Sequence, residues 1–121
     1  MSKKALLEKS IRGGGVAVLR FNNPRKLNAW SAPMMTQLSE ALGAARGDDE
    51  IKAVVVTGTG KYYSAGVDLA AIIKPMAPRK LVDKITVLNE RLFDQFLDFP
   101  KPIFAAVNGP WYVLFVPSCS R

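Results

Sequence analysis

A turn of small residues that ends in a carboxylate stands at residues 64–68, Ser-Ala-Gly-Val-Asp. It follows an apolar run of strand length, and open α/β folds bind ligands where such strands end. Small side chains let a ligand approach the backbone, and N–H groups on such a turn can stabilise a developing oxyanion. The residue types alone leave two interpretations open, an anion-stabilising loop and a plain strand-to-helix turn capped by Asp68.

The neighbouring stretch at residues 58–61, Gly-Thr-Gly-Lys, does not form a phosphate-binding P-loop. That motif requires a glycine five positions before its second glycine and a Ser or Thr after its lysine. Val55 and Tyr62 occupy these positions. Gly58 is therefore predicted to be an ordinary turn residue.

Histidine is missing from the sequence, and Cys119 is its one cysteine. Nucleophiles of the Ser-His-Asp and Cys-His types are thereby excluded. So are a disulfide within the chain and a zinc site built from histidine or cysteine. We expect no metal and no cofactor.

The net charge of +7, from 17 Lys and Arg against 10 Asp and Glu, favours phosphate-bearing partners. These include nucleic acid, membrane headgroups and nucleotide-bearing ligands. The cations are scattered and no zinc-finger spacing or aromatic RNA-binding motif accompanies them, so a nucleic-acid module is a minor alternative. No apolar run approaches the roughly 18 residues that span a bilayer, and neither end shows a targeting signal.

The elements that must position residues 64–68 follow from hydrophobic periodicity, in a chain of 121 residues with a globular composition. Strands alternate with helices, which predicts an α/β fold with parallel pairing. The apolar runs at residues 53–57 and 103–107 are typical of strands buried on both faces. In chain order we predict strands at 6–11 and 16–21, a helix from Ser31 to Gly47, a strand at 53–57, a short helical stretch near 68–73, a helix at 79–99 and a strand at 103–107.

Three blocks carry a family resemblance: residues 23–29 (NPRKLNA), 63–69 (YSAGVDL) and 101–110 (KPIFAAVNGP). Together, in this order and spacing, they resemble the enoyl-CoA hydratase/isomerase (crotonase) superfamily, and most of all its Δ3,Δ2-enoyl-CoA isomerase branch. The resemblance implies an α/β fold, an incomplete crotonase-like spiral of β-β-α units. It assigns residues 1–110 to the N-terminal part of such a domain and residues 111–121 to an apolar tail foreign to the family.

The resemblance also implies an acyl-CoA thioester as substrate in fatty acid β-oxidation. It places Lys26 and Leu27 beside the CoA nucleotide and makes the Ala65 N–H an oxyanion-hole donor. Family members form trimers and work in peroxisomes or mitochondria. The residues implied to bind the pantetheine and thioester are Ser64, Ala65, Gly66, Val67, Asp68 and Leu69.

The sequence departs from the family pattern after residue 110. The second oxyanion donor is expected in a Gly/Ala-rich stretch, where this chain has Trp-Tyr-Val-Leu-Phe at residues 111–115, and no Asp or Glu follows Asp98. We therefore expect a truncated chain with weak or no activity. The alternatives are a non-catalytic acyl-CoA binder, an assembly partner of a full-length homologue, and a chain that does not fold stably.

Overall fold

A computed structural model describes residues 5–68 and 78–112 of the chain. Four strands and two long helices follow one another in the predicted order, with a short 3-10 turn after the second strand. The elements are β1 (Leu7–Arg12), β2 (Val16–Phe21), the 3-10 turn (Pro24–Lys26), α1 (Ala32–Gly47), β3 (Ala53–Gly58), α2 (Pro78–Leu97) and β4 (Ile103–Ala106).

The four strands form one sheet in the order β1-β2-β3-β4. β1 and β2 pair antiparallel, joined by a turn in which Gly14 and Gly15 have φ of 80° and 78°. β2, β3 and β4 run parallel, as the alternation of strands and helices predicts. The α/β prediction is thus confirmed. The helical stretch expected near residues 68–73 lies almost wholly outside the described residues.

Helix α1 begins where its capping signal predicts. The Ser31 hydroxyl accepts a hydrogen bond from the Met34 N–H at 3.4 Å, and Pro33 lies in the first turn. The apolar stripe of α1 then packs against one face of the sheet. The buried core comprises Ala17, Leu19, Phe21, Met34, Met35, Leu38, Leu42, Ala45, Ile51, Val54, Val56 and Leu92.

The prediction that residues 53–57 and 103–107 are buried on both faces is wrong for the described structure. In β3, Val54 and Val56 are buried, whereas Ala53, Val55 and Thr57 are only half-buried. Both helices contribute to a core on one face of the sheet, so the opposite face of β3 keeps contact with solvent. β4 is an edge strand, and only Ile103 within it is partly buried.

The β4 edge presents apolar residues without any charge. Phe104 is 58% exposed, and Trp111 and Tyr112 farther along are 60% and 62% exposed. The remainder of the predicted tail, residues 113–121, lies outside the described residues. Neither described helix is long and apolar enough to cross a membrane. Within residues 5–68 and 78–112 no group of acidic, histidine or cysteine side chains could hold a metal ion.

Candidate functional site

Two short chain segments lie side by side beyond the ends of β2 and β3. The first is residues 27–30, after the 3-10 turn, and the second is the small-residue loop at 64–68. Backbone groups make most of the contacts, so the pairing fixes the loop backbone itself. The hydrogen bonds are Ser64 Oγ to Asn28 O (3.0 Å), Ala65 N–H to Leu27 O (2.9 Å), Trp30 N–H to Gly66 O (2.6 Å) and Asp68 N–H to Trp30 O (2.8 Å).

The bridge between Trp30 and Val67 leaves one loop N–H without a partner. Trp30 bonds to the residues on either side of Val67, which is the pattern of a parallel bridge. The N–H and C=O of Val67 itself therefore point away from Trp30. Among the described residues no group accepts a hydrogen bond from the Val67 N–H. This donor is therefore held in place by the bridge and has no acceptor among the described residues.

The Ala65 N–H, predicted to be the oxyanion donor, already has an acceptor in Leu27 O. Leu27 and Asn28 both adopt left-handed conformations, with φ of 52° and 53°, and this turn lets the Leu27 carbonyl reach the loop. The predicted role of Ala65 conflicts with that hydrogen bond. The sequence could not indicate that the Val67 N–H is left without an acceptor, because the direction of a backbone group depends on its neighbours in space.

Two asparagines, Asn28 and Asn108, hold the loop between β3 and the site, and sequence analysis gave neither a role. The fully buried Asn28 accepts from the Asn23 N–H (2.9 Å) and donates to Thr59 O (2.9 Å) and Tyr62 O (2.8 Å). Asn108 accepts from the Gly58 N–H (2.9 Å) and donates to Gly60 O (2.9 Å). Asparagine tolerates the left-handed conformation, so its residue type could have indicated that Asn28 lies in a turn.

Gly58 is a site of close approach rather than a turn residue. It is the last residue of β3 and is buried. A Cβ atom there would lie 2.7 Å from Tyr62 O, 2.7 Å from Tyr63 O and 2.9 Å from Asn108 Oδ1. The absence of a side chain therefore lets the loop fold back across the end of the strand.

An open apolar cavity of about 350 Å³ adjoins the paired segments. Its wall includes Trp30, which pairs with Val67, and Tyr63, which directly precedes the small-residue loop. The ring of Phe21 contacts both, with centroids 5.7 Å from each. A volume of this size is at the lower end of the range for small-molecule sites, about 300–1,000 Å³. The lining residues are Phe21, Trp30, Val56, Tyr63, Phe96, Ile103, Phe104 and Ala105.

The remaining predicted site residues are only partly brought together. Lys26 Nζ lies 2.7 Å from Asp68 Oδ2, so this lysine contacts the loop. Leu27 lies in the first segment and its side chain is exposed. Leu69 lies outside the described residues. Trp111 forms a bridge with Ser64, but most of the stretch expected to carry the second donor lies beyond residue 112.

Burial raises the pKa of the Tyr63 phenol above its ordinary value near 10, because phenolate is poorly solvated beside the cavity. The unfolded chain therefore loses this proton at lower pH than the folded protein. We expect this residue's contribution to the free energy of unfolding to be lost as pH rises through 10 towards the folded pKa. Tyr63→Phe should flatten that decline in urea titrations between pH 9 and 11, and Tyr112→Phe, at an exposed position, should not. An unchanged slope in Tyr63→Phe would contradict the linkage.

The chain is similar in sequence to one family of known proteins. A family model described as enoyl-CoA hydratase/isomerase matches residues 12–112. Enoyl-CoA delta isomerase 2 of Homo sapiens is 41% identical over 98 residues, which are 79% of this chain and 25% of that protein. The peroxisomal enoyl-CoA delta isomerase 3 of Mus musculus is 39% identical over 97 residues, which are 79% of this chain and 30% of that protein.

Solved structures agree with the sequence comparison. A crystal structure of an enoyl-CoA hydratase from Mycobacterium smegmatis superposes with a TM-score of 0.78 at 30% identity. The match covers 84% of this chain and 39% of that one. The match thus covers 25% and 30% of the two delta isomerases and 39% of the solved hydratase chain.

Proposed function

Because the chain belongs to the enoyl-CoA hydratase/isomerase family, we propose that it binds a fatty acyl-CoA thioester at the loop of residues 64–68. The observation that carries the proposal is the unpartnered Val67 N–H. A thioester carbonyl placed there accepts this hydrogen bond. The acyl chain leads into the apolar cavity whose wall contains Trp30 and Tyr63.

This donor would stabilise the enolate form of the thioester. Removing an α-proton from a thioester puts negative charge on the carbonyl oxygen, and a preorganised N–H stabilises that charge without reorganising. Val67 is preorganised because the residues on both sides of it are bonded to Trp30. We therefore propose that the Val67 N–H, rather than the Ala65 N–H, is the oxyanion donor.

Turnover by this chain is a separate matter from binding. The family resemblance places the acid/base carboxylates after residue 110, and the family model matches this sequence over residues 12–112. Proton transfer by a positioned side chain typically contributes about 10²–10⁴-fold to a rate. We propose acyl-CoA binding at this loop, with double-bond isomerisation or hydration depending on carboxylates from that later part of the family domain. The second candidate function is accordingly a non-catalytic acyl-CoA binder, or a partner in assembly with a full-length homologue.

The family trimer and a place in the peroxisome or mitochondrion remain proposals. A peroxisomal enzyme among the relatives supports fatty acyl-CoA metabolism as the setting.

The test compares an acyl-CoA with an alkyl-CoA thioether of the same chain length, which lacks the carbonyl oxygen. We expect the acyl-CoA to bind about tenfold more tightly by calorimetry, the worth of one net hydrogen bond. Val67→Pro removes the N–H and should abolish the difference, whereas Val67→Leu keeps the N–H and should preserve it. Equal affinities in the unmodified chain would contradict the donor role, and no binding of either ligand would refute the function.

A further inference from the structure

Lys26 and Asp68 form an ion pair that ties the 3-10 turn to the end of the ligand loop. The Nζ and Oδ2 atoms are 2.7 Å apart, which is the short distance of a charge-assisted hydrogen bond. The carboxylate side chain is only 8% exposed, whereas the lysine side chain is 52% exposed. The pair therefore joins a buried anion to a cation that also reaches solvent.

Asp68 is the residue immediately after the unpartnered Val67 N–H. Its own N–H donates to Trp30 O at 2.8 Å, and that bond is one half of the bridge that orients Val67. The ion pair with Lys26 fixes the side chain of the same residue. A displacement of the Asp68 carboxylate would move the backbone that sets the direction of the Val67 N–H.

Lys26 has two possible uses, and the geometry distinguishes them. Family resemblance places it beside the CoA nucleotide, where a lysine would contact a phosphate. The structure instead engages its ammonium with a buried carboxylate on the thioester side of the site. Removing a cation from a buried carboxylate is costly, because the anion is left poorly solvated.

We propose that Lys26 is a positioning residue that holds Asp68, and with it the Val67 N–H, in the orientation a thioester carbonyl needs. The choice of an acyl-CoA as ligand rests on the proposed function. The effect of Lys26 on the position of Asp68 does not depend on it. The effect of Lys26 on binding falls on recognition of the acyl end of the ligand, not of the nucleotide end.

The first measurement is amide hydrogen exchange on the ligand-free protein at Trp30, Ala65 and Asp68, whose N–H groups make the cross-segment bonds. Lys26→Met and Asp68→Asn should each speed exchange at Asp68 by about 10- to 100-fold, the range for a hydrogen bond to a charged group. The double variant should be no faster than Asp68→Asn alone, because that change already removes the ion pair. Lys26→Arg keeps a cation at this position, so exchange at Asp68 should stay as slow as in the unmodified chain.

Arg25→Met is the matched control, since it removes a neighbouring exposed cation of the same turn. It should leave the exchange rates within about twofold of the unmodified chain, as expected of a surface substitution. Unchanged exchange in Lys26→Met, or rate increases that add in the double variant, would overturn the proposal.

The second measurement compares affinity for free CoA and for an acyl-CoA. A positioning role predicts that Lys26→Met and Asp68→Asn both weaken acyl-CoA binding and leave CoA binding nearly unchanged. A phosphate contact predicts equal losses for both ligands in Lys26→Met. It also predicts tighter binding in Asp68→Asn, because the lysine is released from its carboxylate; this pattern would overturn the proposal. If the unmodified chain binds neither ligand, the proposed function fails, while the exchange rates still decide the role of the pair.

Discussion

Replacing Asn28 by aspartate should lower the free energy of unfolding by about 4–5 kcal/mol, the cost of a buried charge without a partner. The Nδ2 group of Asn28 faces the carbonyl oxygens of Thr59 and Tyr62 at 2.9 and 2.8 Å. An aspartate would put an oxygen in its place, among acceptors and out of contact with water. Since domains are stable by only about 5–15 kcal/mol, the loss should be visible as partial unfolding at room temperature.

Urea unfolding followed by circular dichroism provides the measurement, and two further variants separate the causes. Asn28→Gly removes the hydrogen bonds but suits a φ of 53°, so it should be about 1–2 kcal/mol less harmful than Asn28→Ala. Asn89→Asp adds the same charge at an exposed position of α2 and should change stability by less than about 0.5 kcal/mol. Similar losses at both asparagines would show that charge rather than lost hydrogen bonding is responsible.

Gly58→Ala should be the second most damaging change, with a loss of about 3 kcal/mol, at the upper end for overpacked cores. The added methyl group would lie 2.7 Å from two backbone carbonyl oxygens, those of Tyr62 and Tyr63. Backbone atoms cannot swing aside as a flexible side chain can. The loop must shift, and with it the Tyr62 carbonyl that Asn28 holds and the cavity wall at Tyr63.

Gly43→Ala is the matched control for the glycine substitution. A Cβ at Gly43 meets no atom within 4 Å, and the residue lies in the interior of α1. Alanine there should stabilise the protein by about 0.5–1 kcal/mol, because it restricts the unfolded chain and favours helix. Thermal melts of the two variants should therefore shift in opposite directions. A Gly58→Ala melt that matches the unmodified chain would show that the loop accommodates the methyl group.

Sequence analysis predicted the elements well because their signals are local. The serine cap and the apolar spacing of α1 act within a few residues, and so do the glycines of the first turn. Exposure of the strand faces was predicted poorly for β3 and β4. Whether a sheet face is covered depends on how many helices or strands pack against it. An apolar run such as residues 103–107 does not indicate that number.

The candidate site shows the same division. The small-residue loop at 64–68 could be recognised from residue types, because small residues after a buried strand are a local pattern. Which of its N–H groups lacks a protein acceptor could not be predicted, because the directions of the Ala65 and Val67 N–H groups are set by Leu27 and Trp30, more than thirty residues earlier. The roles of Asn28 and Asn108 were hidden for the same reason, as their partners are backbone carbonyl and N–H groups distant in sequence.

The strand order has a consequence for synthesis on the ribosome. The order in the sheet, β1-β2-β3-β4, is also the order along the chain, so each strand pairs with the one made just before it. During synthesis β2, β3 and β4 each find the preceding strand already made. The four described strands can therefore pair one after another in a single direction across the sheet, from β1 to β4.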